Sequence, residues 1–477
     1  MSNYDVVIIG GGAVAENVAD RAVQGGLTAV LVESELVGGE CSYWACMPSK
    51  ALLRSGIALR EAQRVGGARE AVTGGLDVAA VFARRNGFTH ERDDQSQVDW
   101  VEGAGISLVR GHGRITGTKE VTVTAADGST TVLTATHAVV VSTGSDPLLP
   151  DIPGLLDANP WTPRDATSAQ TAPASLAIIG GGVVAVEMAT AYASFGTAVT
   201  VIARSGLLQG QEDIASEAVT AGLRGLGVDI RHGSPTKVER SEDGVAVYLA
   251  GSDSDDEEVL LAEEVLVATG RVPRTTDIGL DVVGLTPGDW LAVDDTLRVK
   301  GYDWLYATGD VNHRALLTHQ GKYQARAAGD VIVARALGRT VADSPWGAHV
   351  ATADHEAVPQ LTFSEPEVAS AGLTSAAART AGYDIRVVDY NLGWVAGASL
   401  QADDYEGTAR MVVDEKRGVI LGVTFVGQDV SELIHAATVA IVGEVPIDRL
   451  WHAVPAYPTM NEVWLRLLEA YGRPTAA

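Results

Sequence analysis

The sequence predicts an α/β fold: two doubly wound, parallel-sheet units followed by an α+β C-terminal section. Three observations carry that expectation. A strand–turn–helix–strand unit occurs twice, strand-then-glycine endings recur between and after the copies, and the composition shifts beyond about residue 346. A length of 477 residues fits about three domains.

The repeat comes first. Asp5-Val-Val-Ile-Ile-Gly10-Gly11-Gly12-Ala-Val-Ala15 recurs as Ser175-Leu-Ala-Ile-Ile-Gly180-Gly181-Gly182-Val-Val-Ala185. The match continues without gaps through a helix into a second apolar strand, at 28–33 in one copy and 198–203 in the other. One glycine-rich turn is a weak sign; two in register are a strong one. Glycines such as Gly10, Gly12, Gly180 and Gly182 let the backbone approach a pyrophosphate, which then rests on the helix N-terminus. Ala15 and Ala185 stand where a third glycine would pack helix on strand, a variation that Rossmann-like folds accept.

The copies differ about 20 residues further on, where a ribose-binding acid is expected. The first has Glu33, suited to accept bonds from an adenosine 2′-OH, and reads as an FAD site. The second has Ala203, followed by Arg204 and Ser205. An acid would repel a 2′-phosphate, whereas a guanidinium and a hydroxyl would hold one. The second site therefore reads as NADPH rather than NADH.

Between the copies lies the block Gly-Gly-Glu-Cys-Ser-Tyr-Trp-Ala-Cys-Met-Pro-Ser-Lys, residues 38–50, with both cysteines of the chain, Cys41 and Cys46. A close dithiol without further Cys or His ligands points to redox chemistry before metal binding. In a regular helix, positions i and i+5 lie roughly 8–9 Å apart, beyond disulfide reach. A bridge needs Cys41 at a bent helix entrance, which Gly38 and Gly39 permit. Pro48 suits a first helical turn, and Cys46 near the start of a helix over 50–62 would gain thiolate character. The bland alternative is a pair of buried free thiols. Tyr43 and Trp44 are either core filler or a narrowing of a substrate pocket.

The remaining elements follow in order. Residues 106–109, 120–124 and 131–134 read as a β-meander leading to a strand at 138–141 that ends in Ser142-Thr143-Gly144. A hairpin over 244–250 and 259–268 closes the second unit, with the acidic run 253–258 as a solvated tip. Strands at 409–413 and 420–426 and a helix over 431–442 form the last section. The expected boundaries are 1–150 for the first nucleotide unit and 151–272 for the second.

A net charge of −26 and a pI near 4.7 argue against nucleic acid or anionic membrane as partners. No apolar stretch reaches the ~20 residues of a membrane span. The N-terminus enters a strand at residues 4–9 without a signal-peptide pattern, so the expected location is the cytoplasm, where a disulfide is usually catalytic or sensory.

The residues quoted above, with Ala268-Thr-Gly-Arg-x-Pro273, Ala307-Thr-Gly-Asp310 and Phe363-Ser-Glu-Pro-Glu367, resemble the pyridine nucleotide–disulfide oxidoreductases end to end. That family includes dihydrolipoamide dehydrogenase, glutathione reductase and mercuric reductase. The resemblance implies a homodimer with FAD, NAD(P) and interface domains, and active sites shared between subunits. By the same resemblance, 273–345 returns to the FAD domain and 346–477 is the interface domain. It implies that Asp310 holds the flavin ribityl chain, that Lys50 and Glu187 pair near the flavin N5, and that Gly113 and Thr318 touch FAD. Gly39, Thr143, Gly144, Val238 and Gly270 are further cofactor-binding candidates; no metal site is expected. In the implied mechanism, NADPH reduces the flavin and the flavin reduces the disulfide. Cys46 stays against the isoalloxazine as the charge-transfer thiolate, and Cys41 attacks the acceptor.

At Ala456-Tyr457-Pro458-Thr459-Met460-Asn461-Glu462 the sequence departs from the disulfide reductases, which carry histidine where Tyr457 stands. Tyrosine, with a reference pKa of about 10, is a poor base at neutral pH. Tyr457 remains a hydrogen-bond donor or a steadying group for a metal–thiolate complex. Glu462 either orients it or caps a helix, and His452 lies in the wrong register. Mercuric reductases share the tyrosine and the Ala203-Arg204-Ser205 pattern. They also use a C-terminal cysteine pair that this chain does not show, so weak mercuric reduction at best is expected. The leading expectation is reduction of a disulfide or thiol-reactive acceptor through Cys41 and Cys46. The alternatives are direct flavin-to-acceptor transfer to quinones, dyes or metal ions, and a redox sensor.

Overall fold

The computed structural model describes residues 2–250 and 258–473, so most of the expected acidic hairpin tip lies outside the described residues. The described residues form two compact units. The first draws on 1–48, 86–147 and 271–355; the second on 49–85, 148–270 and 356–477.

The first unit is built on β1 (Ser2–Ile9), β2 (Ala29–Glu33), β3 (Ser107–Arg110), β4 (His112–Gly117), β5 (Glu120–Thr124) and β6 (Thr130–Val141). They pair in the order β3-β2-β1-β6-β5-β4, and β7 (Leu305–Ala307) joins β6 as the seventh strand. Strands β1, β2, β3 and β7 run parallel with their neighbours, whereas β4, β5 and β6 pair antiparallel. The first meander strand is therefore His112–Gly117. Residues 107–110 instead extend the parallel sheet, because Val30, Leu31 and Val32 pair with Ser107, Leu108 and Val109. The two short strands read at 131–134 and 138–141 are one.

Strand β1 explains why the sheet is buried on both faces. Side chains alternate along a strand. Val6 and Ile8 enter one core with Ala15, Val18 and Leu31, while Val7 and Ile9 enter another with Val30, Val139 and Leu305. The first core is roofed by α1 (Ala13–Gln24) and by the long helix Thr318–Ala336, which pack closely enough that a Cβ on Gly321 would stand 2.6 Å from Val14.

The second unit has a parallel sheet of Asp229–His232, Ala198–Ala203, Ser175–Ile179 and Glu264–Val267. Its three-stranded antiparallel partner contains Gly244–Leu249 and Glu258–Ala262. The strand expected over 259–268 is thus two strands, each serving a different sheet. A five-stranded antiparallel sheet centred on Val419–Gly427 completes the unit. The sections expected as separate NAD(P) and interface domains share one cluster: Val368 and Val426 bury against Leu176, Val219 and Leu223.

Leu31→Ala, at a wholly buried site between β1 and β3, is expected to cost about 2–5 kcal/mol of stability through transfer and cavity terms. Chemical denaturation followed by near-UV circular dichroism checks this.

Candidate redox and dinucleotide site

Strand register assembles the first dinucleotide cradle. Ile9 pairs with Val32, so Gly10 and Glu33 emerge side by side at the carboxyl ends of β1 and β2. There the Glu33 carboxylate accepts the Gly11 N–H at 2.6 Å and the Glu35 N–H at 2.7 Å. Burial pushes the Glu33 carboxyl up, and those two backbone bonds oppose the shift. A cavity of about 280 Å³ opens beside it, lined by Gly10, Glu33, Gly113, Thr143 and Arg274. A Cβ on Gly113 would crowd Val32 at 2.9 Å.

Gly12 is the N-cap of α1 with extended backbone and no side-chain cap, leaving the helix's first N–H groups for an anion. Asp310 follows β7, accepts the Ser145 hydroxyl at 2.6 Å and sits 3.7 Å from Arg271. Gly144 takes a positive φ of 75°, turning the chain after Thr143. The Thr143 hydroxyl is buried without a hydrogen-bond partner among the described residues. An orphaned hydroxyl lining this cavity, with an acid and an unfilled helix N-terminus, fits the adenosine and pyrophosphate chemistry of FAD.

The cysteines meet at a break between two helices. Gly38, at φ 107°, caps α2 (Gly39–Tyr43), and Trp44 leaves helical geometry before α3 (Cys46–Gln63) begins. The chain bends at Gly38 and Gly39, both at positive φ, where the helix of Cys41 begins, and breaks a second time between the two cysteines. The helix also starts at Cys46 rather than at Lys50, since Pro48 needs no N–H partner in the first turn. Cys41 and Cys46 are free thiols hydrogen-bonded to one another, and the Cys46 Sγ lies 3.3 Å from the Thr318 Oγ1. The bond to Cys46 and burial push the Cys41 thiol well up, while Thr318 and the charge of Lys322 pull it down. Tyr43 is core filler, 1% exposed. Trp44 meets it edge-on at 5.8 Å.

The second unit holds the other fingerprint. Gly180 adopts φ 130° against the Ala268 carbonyl, as the turn after Ile179 requires, and Gly182 is the N-cap of helix Val183–Ser194. Ala203 is buried, whereas Arg204 and Ser205 are exposed at the strand end. Arg204 makes no ion pair among the described residues, leaving its guanidinium to an outside anion. Gly270 takes φ 139°. Val238 differs from the rest: its side chain is wholly buried with Val245, Val247 and Val265, and its N–H bonds the Pro153 carbonyl.

Lys50 and Glu187 are joined at 2.8 Å, with Glu187 almost fully buried. The second Glu187 oxygen accepts the Phe363 N–H at 3.1 Å, and the Lys50 ammonium stands 4.9 Å above the Phe363 ring. Both carboxylate oxygens are thereby fixed.

The C-terminal pair is not brought together. Tyr457 is 75% exposed and makes no hydrogen bond among the described residues. Glu462 begins helix Glu462–Tyr471, where Arg466 binds one of its oxygens and the other is buried without a partner. Glu462 thus serves its own helix and does not orient Tyr457 within the chain.

Glu16 escaped the sequence reading. The repeat could have revealed it: the second copy has buried Val186 at the position of Glu16, and Glu187 where the first has Asn17. Among the described residues no cluster of three or more potential metal ligands occurs, and no helix is long and apolar enough to cross a membrane.

Residues 4–330 match the family model described as pyridine nucleotide-disulphide oxidoreductase, and 358–467 match its dimerisation domain. The chain is 32% identical to mercuric reductase of Shigella flexneri over 469 residues, covering 96% of this chain and 79% of that one. It is 31% identical to dihydrolipoyl dehydrogenase of Mycobacterium leprae over 477 residues, covering 97% of each. In fold it is similar to the Cu(II) complex of the HOCl-induced flavoprotein disulfide reductase RclA from Escherichia coli. That match has a TM-score of 0.83 at 22% identity and covers 98% of this chain and 99% of the other.

Glu33→Ala and Thr143→Val are each expected to weaken FAD binding by roughly tenfold, the worth of one lost buried hydrogen bond. Flavin fluorescence during titration of the apoprotein reads this directly.

Proposed function

The chain belongs to the pyridine nucleotide-disulphide oxidoreductase family and is an FAD- and pyridine-nucleotide-dependent oxidoreductase carrying a dimerisation domain. From that premise we propose that it passes electrons from NADPH through Cys41 and Cys46 to a disulfide or thiol-reactive acceptor. One observation carries the proposal: the hydrogen-bonded thiol pair at the break between α2 and α3, with Cys46 on the Thr318 hydroxyl.

FAD, when bound, supplies the two-electron relay between nicotinamide and disulfide. The chain's own residues do the rest. Gly12 and the start of α1 would hold the pyrophosphate, Glu33 the adenosine ribose, and Asp310 the ribityl chain. Cys46 opens its helix, where the dipole favours a thiolate. The reduced Cys41 attacks one sulfur of the acceptor disulfide, forming a mixed disulfide and releasing one thiolate, which takes a proton. Cys46 then attacks the Cys41 sulfur, expelling the second thiol and restoring the internal disulfide. Each cycle consumes two electrons and two protons and leaves the acceptor as two thiols.

We further assign NADPH over NADH to the second site on the exposed Arg204 and Ser205 beside buried Ala203. The working form is a homodimer in the cytoplasm, with Tyr457 reaching the partner's cysteines. The three functional sections are 1–150 with 273–345, 151–272 and 346–477. Tyr457 favours a second reading, direct transfer to quinones, dyes or metal ions, because a phenol is a weak base at neutral pH.

Cys41→Ser and Cys46→Ser should each abolish disulfide reduction by at least about a hundredfold, as expected for a lost nucleophile. Quinone or metal-ion reduction that survives both changes would establish the second reading instead. Arg204→Ala should raise KM for NADPH roughly tenfold and leave NADH nearly unchanged, through loss of one charge-assisted contact. In an acceptor screen, Tyr457→His should confer lipoamide or glutathione disulfide turnover; an unchanged profile would remove Tyr457 from the chemistry.

A further inference from the structure

The helix Thr318–Ala336, α4, supplies two groups to the cysteine pair from one face. Thr318 touches Cys46 at 3.3 Å, and Lys322 lies one turn further on, at the i+4 spacing that stacks side chains on a common face. The Lys322 charge acts on the Cys41 thiol. Lys322 is half-buried and makes no ion pair within 4 Å among the described residues.

Across from it, on α1, stands Glu16. The two helices are in close contact, with Gly321 against Val14. Glu16 is 8% exposed and one of its oxygens is buried without a hydrogen-bond partner. A carboxyl buried this way has no local bonding role. Its charged and titratable neighbours are Lys322 and Tyr43, whose hydroxyl lies in turn among Asp94, Asp93 and Arg110. The groups acting on Cys41 are Cys46, Thr318 and Lys322. Lys322 is therefore common to the thiol and the buried acid.

We propose that Lys322 is a positioning residue that stabilises the Cys41 thiolate from within the same chain, and that buried Glu16 sets how much of its charge that thiolate feels. The proposal rests on the thiol-exchange reading above. It meets a specific need: the phenol of Tyr457 brings no positive charge to a thiolate, and a thiolate attacks only if a neighbour favours its charged form. Burial pushes the Glu16 carboxyl up to about 7, against the attraction of Lys322. Below that pH Glu16 is neutral and the Lys322 charge acts undiminished. Above it Glu16 ionises, offsets Lys322 and makes the Cys41 thiolate harder to form.

The test is the alkylation rate of Cys41 by iodoacetamide in the full-length, reduced flavoprotein, mapped by mass spectrometry across pH. Lys322→Met should slow alkylation near neutral pH by roughly tenfold, the effect of moving a thiol's midpoint by one unit. Lys322→Arg should restore the rate to within about twofold, because it restores the charge. Glu16→Gln should match the wild type at about pH 6 and exceed it roughly threefold at about pH 8, where the wild-type acid is ionised. Superimposable profiles for Lys322→Met and wild type would overturn the proposal. So would Lys322→Arg behaving as Lys322→Met, which would mean packing rather than charge, or Glu16→Gln without effect at either pH. If Lys322→Met does not fold, Lys322→Gln takes its place with the same expected loss. Alkylation does not require an acceptor, so Cys41→Ser retaining full acceptor reduction would sink the thiol-exchange reading and leave this measurement intact.

Discussion

The first unit's chemistry depends on a backbone contact without side chains. Gly12 and Gly38 form a bridge between the fingerprint turn and the cysteine segment, and a Cβ on Gly39 would stand 2.9 Å from the Gly12 Cα. Gly38 and Gly39 both lie at positive φ, where other residues are strained. This approach places the dithiol segment beside the N-terminus of α1. Larger residues there would push the cysteine segment away from the fingerprint turn before any reactive group was touched.

That contact also explains how much was legible in the sequence. The parallel β1, β2 and α1 were readable because fingerprint, apolar run and acid each report one physical requirement at fixed spacing. The same held for Glu33, Gly180 and the dithiol block. Register was not readable. The apolar stretch at 107–110 has the composition of any strand, and only its pairing with β2 decides that it extends the parallel sheet. The stretch from 259 to 268 was divided because Ala262 pairs with Val245 in one sheet and Val265 with Ala177 in another, a choice made by tertiary packing. Val238 followed from resemblance alone, and its burial among valines shows how little a motif position says about surface.

Electrostatics in this acidic chain are local. A net charge of −26 says little about a thiol held against Thr318 or a carboxyl held under α4. At such sites burial, which disfavours charge, competes with single neighbours, which restore it. Glu33 resolves the competition with two backbone N–H bonds, and Glu187 with an ammonium and a backbone N–H. Glu16 has no such hydrogen bond on its buried oxygen, so burial pushes its carboxyl up against the attraction of Lys322 alone.

The two copies carry their acids one residue apart: Glu16 aligns with Val186, and Asn17 with Glu187. A one-residue step turns a side chain by about 100° around a helix axis. Two halves of similar design can thus point a carboxylate in different directions without altering the turn, the glycines or the strand before them. In one half the acid is clamped by a lysine; in the other it is buried with one oxygen unpaired. Divergence after duplication has here an inexpensive steering device: rotation by a single register position, with the scaffold left as it was.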